Sequence, residues 1–240
     1  MSKPTLNSLL LSFFVLSIGT AGGMAITWKL AGSGKAAEFS RVGSILQVII
    51  FMLQVFFYSR ARRELLFQLY YFSSCSLTMV WTTLSLSLPI FWIDFVEFKV
   101  KLILTFIFLI LFFVNFRYAI NYIAKQWVNI GAKKFEKIAK NSGKSVAWNE
   151  VATSMNIMPI IYVPAMPQKW SPIFGACLVV SMIMGLNLRV AYPIFAIFAT
   201  GIPCIICASF FIQVSGYYLK QASIVKSIEK ERQIKIITND

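Results

Sequence analysis

The sequence predicts an all-α integral membrane protein: a bundle of about six transmembrane helices with both termini in the cytoplasm. Three observations carry that expectation. First, six apolar runs punctuate the 240 residues, at 6–28, 42–58, 65–92, 102–123, 172–188 and 190–219. A helix needs roughly 20 mainly apolar residues to cross a hydrocarbon core. Second, only 13% of residues are charged, about half the share of an average soluble domain. Third, the 23 Lys and Arg residues are unevenly distributed between alternate connections. With the N-terminus inside, sixteen cations fall on inner segments and six on outer ones, the bias that fixes topology. The same placement assigns the net charge of +14 to span flanks and excludes nucleic acid as the partner.

The first run is too long for the core of a cleavable signal peptide and reads as an uncleaved span. Near its outer end, Gly19 and Gly23 remove two side chains from one face and admit a close neighbour. That neighbour is expected within the chain more than in a second copy. Trp28 marks the interface. The second and third runs form a hairpin about Arg60, Arg62 and Arg63, a topology anchor. Pro89 is expected to kink the outer end of the third run. The fourth run is apolar all round and is expected to face lipid, with Arg117 near its inner end snorkelling to the headgroups. Spans five and six join at a tight turn around residues 187–193, and Gly201 and Pro203 are expected to break the sixth.

Residues 125–170 form the one sizeable segment between spans. Trp127, Ile130, Phe135 and Ile138 recur on one helical face, and Lys133, Lys137 and Lys140 lie towards the other. The pattern predicts a basic amphipathic helix lying on the inner leaflet. Asn141, Ser142 and Gly143 end it. Pro159, Pro164 and Pro167 then divide a stretch too short to span: a re-entrant dip, a strap on the membrane face or a cover over the bundle. Residues 220–240 read as a charged cytoplasmic tail, helical at its start.

Chemistry is excluded more readily than assigned. The chain has no histidine, hence neither the commonest general base nor the commonest metal ligand. It also lacks a Walker loop, a GxSxG elbow and a dinucleotide fingerprint. Asp94 and Glu97 could pair as carboxylates, but Lys99 and Lys101 beside them favour a solvated turn. No acid lies at mid-span, which disfavours ion-coupled transport. Asn115, Asn187 and Gln213 are the candidate polar groups of a pore. Cys204 and Cys207 form a CxxC in the sixth run near Cys177, Met182 and Met184. Soft ligands of that type select Cu(I), yet they are equally common core fillers, and no cofactor is expected.

The function expected is non-enzymatic: a multi-pass inner-membrane protein acting through protein contacts, as a subunit of a membrane machine or an exclusion or immunity factor. Minimal outer loops without an N-glycosylation sequon favour a bacterial membrane. Partners are the anionic inner leaflet and either a membrane protein or a second copy, met through Trp127, Lys133, Lys134, Lys137, Lys140 and Lys144. The alternative is a small channel or carrier, with a soft metal ion as one cargo.

Overall fold

The computed structural model describes residues 4–61, 64–142, 145–155, 168–188, 191–232 and 235–237. Gly32 shapes the first element. Helix α1 (Leu6–Ala61) is broken only there, at φ 86° and ψ 173°, a conformation that L side chains rarely adopt. The chain reverses at that residue. The Phe13 ring meets Phe51 at 5.0 Å, and Gln47 Nε2 donates to Ser17 Oγ at 2.8 Å. Numbers rise along one arm as they fall along the other, so α1 is an antiparallel helical hairpin. Residues 29–41, which hydropathy separates from both runs, are helical apart from Gly32. Ala31, Ala36 and Ala37 favour that outcome.

Helix α2 (Leu65–Ser87) packs on this hairpin. Trp81 Nε1 donates to Thr20 Oγ1 at 3.0 Å, and Gln54 Nε2 to Thr78 Oγ1 at 2.7 Å. Pro89 lies in a 3₁₀ turn, Leu88–Trp92, into which α2 tightens. Glu97 precedes α3 (Phe98–Gln126), its carbonyl accepting from the Lys101 amide at 3.2 Å. Asp94 and Glu97 are both exposed, and nothing among the described residues draws their carboxylates into a site.

Helix α3 runs through one π turn, Trp127–Gly131, into α4 (Ala132–Ser142). Strand β1 (Ser145–Ala147) and helix α5 (Trp148–Ser154) follow. Helices α6 (Ser171–Leu188) and α7 (Pro193–Arg232) pack together, and α7 also contacts α2 and α3. Strand β2 (Lys235–Ile237) pairs in parallel with β1, Ser145 opposite Lys235. The described residues are thus helical with one three-residue ladder added. Among the described residues, four helices are long and apolar enough to cross a membrane, and the shorter 172–188 is also apolar.

The expected break at Gly201 and Pro203 does not occur: α7 is continuous through both. Proline lacks an amide hydrogen, so the carbonyl four residues earlier loses its helical donor. That carbonyl belongs to Ala199, and it accepts the Ser181 hydroxyl of α6 at 3.0 Å. A neighbouring hydroxyl thus replaces the missing bond, one way apolar bundles keep a proline helical. Gly201 is held close to Ile90, whose Cδ1 would stand 2.5 Å from an added Cβ.

Two apolar clusters mark the ends of the bundle. Leu65, Leu69, Ile123, Phe135, Trp148 and Ile228 gather at one, and Ile90, Ile93, Val96, Leu104 and Ile197 at the other. Between them, the outward surfaces of α1, α3 and α6 expose large apolar side chains, among them Ile45, Ile49, Phe106, Phe113 and Ile183. So dense an apolar exterior suits a hydrocarbon surrounding rather than water. Arg117 stands on the exposed side of α3, its guanidinium 6.0 Å from the Phe113 ring. Arg62, Arg63, Arg189 and the proline-rich 156–167, with its dip, strap or cover, lie outside the described residues, as does part of the 187–193 turn.

Candidate functional site

The amphipathic pattern of α4 is real, but what it buries is protein. Phe135 is 1% exposed and belongs to one cluster with Trp148, Val151, Met155 and Ile236, with Ile138 packed beside it. Trp127 stacks on Trp148 with ring centroids 6.0 Å apart, and meets the Phe135 ring at a tilt, 6.1 Å away. A helix lying on a leaflet would turn these side chains to lipid. Ile130, expected on the same face, is 43% exposed. The π turn explains the discrepancy: it widens the helical repeat at that point and rotates Ile130 away from the line of Trp127 and Phe135.

The cap is completed by the C-terminal segment, which the sequence reading treats as a separate tail. Gln221 Oε1 accepts the indole hydrogen of Trp148 at 3.1 Å, and both side chains are buried. Glu229 Oε1 accepts from the Ile236 amide at 3.1 Å. The Arg232 guanidinium lies 5.3 Å from the Phe135 ring and 3.5 Å from Glu136 Oε1. Both partners of that pair are about half exposed, so its own contribution is small. The ladder and the buried aromatic cluster hold the cap.

Its outward face is basic. Lys133 and Lys137 on α4 are exposed, as are Lys226 and Lys230 on α7, and Lys134 is half-buried. Lys134 borders a shallow depression with Asn149, Glu150 and Thr153. Lys140 lies within α4, and Lys144 lies outside the described residues. Sequence reasoning missed Trp148, Gln221 and Ile236. A signal existed for the first: Trp148, Val151, Ala152 and Met155 follow helical spacing.

Inside the bundle, several polar groups bond one another, while the buried Gln54 Oε1 finds no donor among the described residues. Gln213 Nε2 donates to Asn115 Oδ1 at 2.6 Å, and the Tyr217 hydroxyl donates to Gln213 Oε1 at 3.2 Å. Ser73 and Ser215 share a hydrogen bond at 2.7 Å. Asn115 and Gln213 therefore meet across α3 and α7, while Asn187 is exposed and bonds the Ile183 carbonyl of its own helix at 2.9 Å. Gly19 and Gly23 face α2: a Cβ on Gly19 would lie 2.8 Å from Thr82 Cα, and one on Gly23 would collide with Phe39 and the Ser85 carbonyl. The glycine face is occupied within the chain. Cys204 is buried and Cys207 half-buried on α7, whereas Cys177 is exposed on α6. Among the described residues, no three His, Cys, Asp or Glu side chains form a group able to hold a metal ion.

Fold and site together define an α-helical bundle suited to a membrane, carrying a folded basic cap at one end. Compared with protein families, with curated proteins and with solved structures, the chain matches none.

Proposed function

We propose that this chain is a multi-pass protein of a bacterial inner membrane, crossing six times with both termini in the cytoplasm. It acts without catalysis, through protein contacts made by the cap, as a subunit of a membrane machine or an exclusion or immunity factor. The observation that carries the reading is a division of labour. Buried amides such as Asn115 and Gln213 bond each other, whereas Lys133, Lys137, Lys226 and Lys230 stand exposed on the cap. Ordered lysines on a folded surface can meet an acidic partner with a defined geometry, which a floppy loop does not offer. Six crossings follow if the two arms of α1 each span and the short α6 is counted, and the cation bias then sets the orientation.

The test is affinity purification in mild detergent, comparing the native chain with the double substitution Lys133→Glu and Lys137→Glu. A partner that co-purifies with the native chain and is lost from the variant, with membrane insertion unchanged, supports the reading. A native chain that purifies alone, or a partner that ignores the charge reversal, removes it. A reporter fused at the C-terminus tests topology, since a periplasmic signal there would overturn the orientation and with it the cytoplasmic cap.

A further inference from the structure

At the end opposite the cap, four elements meet around a half-open cavity of about 170 Å³. The first arm of α1 brings Ile26 and Lys29, the end of α2 and its 3₁₀ turn bring Leu86 and Pro89, α6 brings Leu186 and α7 brings Ile197. The cleft forms there because α2 departs from helical geometry at Pro89 while α6 is ending and α7 beginning. Among the described residues its lining is apolar but for Lys29 and Thr200, and the Thr200 hydroxyl already donates to the Ala196 carbonyl at 2.8 Å. An apolar cavity of about 150 Å³ stays dry and accepts a six-carbon hydrocarbon, so this one favours an alkyl segment over water. Among the described residues, Lys29 is the one cation on the lining, and the exposed Trp28 beside it is a side chain of the type enriched at membrane interfaces.

We propose that this cleft holds one acyl chain of an anionic phospholipid, with the headgroup phosphate against Lys29. The inference rests on the reading of the chain as a membrane protein, which supplies the lipid. Charge complementarity selects the occupant: an apolar helix from a second copy would leave Lys29 unpaired, and the ammonium of a zwitterionic lipid would offset much of the attraction of its phosphate. One lysine at an anionic surface is worth ~1 kcal/mol, or about fivefold in affinity.

The test is native mass spectrometry of the detergent-solubilised, delipidated chain, titrated with phosphatidylglycerol and phosphatidylcholine of identical acyl chains. The native chain should retain the first about fivefold better. Lys29→Gln should bring the ratio close to one, and Lys35→Gln, a cation outside the cleft, should leave it unchanged. Leu186→Trp, at an exposed position on the rim, should reduce retention of both lipids. Equal retention by the native chain overturns the proposal, as does a preference that survives Lys29→Gln. A preference untouched by Leu186→Trp also overturns it, because attraction would then need no cleft. Release of the chain from membranes by alkaline carbonate would instead remove the membrane reading itself.

Discussion

Ser181 and Pro203 form a pair whose coupling can be measured. Pro203 withdraws the helical donor from the Ala199 carbonyl, and the Ser181 hydroxyl supplies a replacement at 3.0 Å. Ser181→Ala leaves that carbonyl facing apolar neighbours. Hydrogen bonds between membrane helices are worth about 0.6 kcal/mol on average and up to about 1.7. The upper part of that range applies here, since the carbonyl has lost its partner within the helix. Loss of about 1.5 kcal/mol corresponds to a melting shift of about 3–6 °C for a chain of this size. Pro203→Ala restores an amide at the right position, so the Ala199 carbonyl regains its helical bond and Ser181 becomes dispensable. In that background Ser181→Ala should cost about 1 kcal/mol less than in the native chain, a coupling beyond the roughly 0.3–0.5 kcal/mol within which independent sites add. Equilibrium unfolding in mixed detergent micelles, followed by helical circular dichroism, completes the four-variant cycle. Equal costs of Ser181→Ala with and without the proline would refute the reasoning, because the hydroxyl would then be serving something other than the gap left by Pro203.

Gly19→Ala should destabilise by about 1–3 kcal/mol, the cost of overpacking, because the atom it meets is the Thr82 backbone, which cannot turn aside. Gly34→Ala, a helical position with nothing within 4 Å, should gain up to about 1 kcal/mol from helix propensity; the same micelle assay reads both. Ile236→Asp places a charge at a side chain 1% exposed in the cap core, so protease cleavage near Trp148 should accelerate at least tenfold while the spanning helices stay resistant. Replacing both Cys204 and Cys207 with Ala should leave partner binding within twofold of that of the native chain, measured by the same pull-down. Loss of binding from that pair alone would bring soft-metal chemistry forward.

Most of the helical framework is legible in the sequence because length and hydropathy decide it locally. Residues 102–123 are apolar all round and lie within α3; residues 65–87 lie within α2. Legibility fails where the deciding partner is distant in the chain. Pro203 reads locally as a breaker, and only Ser181, on another helix, makes it harmless. A reversal between residues 28 and 42 is legible from the two apolar runs, but its place at Gly32 is hidden, since Gly34 two residues later is the same amino acid in an ordinary helix. Which of the two turns depends on the packing of the arms, and the run of alanines around them carries no mark of it.

The cap shows the same limit at the site. Helical periodicity marks Phe135 and Ile138 as needing cover, but periodicity names no cover: a lipid surface and a protein core satisfy the same pattern. The choice is made by Trp148 and Val151 on α5, by Met155 just after it, and by Ile228 and Ile236 at the far end of the chain. The last of these is reached only because α7 continues past the bundle to Arg232 and β2 then pairs with β1. Once those residues take the apolar face, the lysines of α4 cease to be a leaflet anchor by default. They stand on a folded surface whose shape depends on the C-terminal segment. A partner that recognises the lysines should therefore be lost on Ile236→Asp as well as on charge reversal, although Ile236 is itself buried beneath that surface.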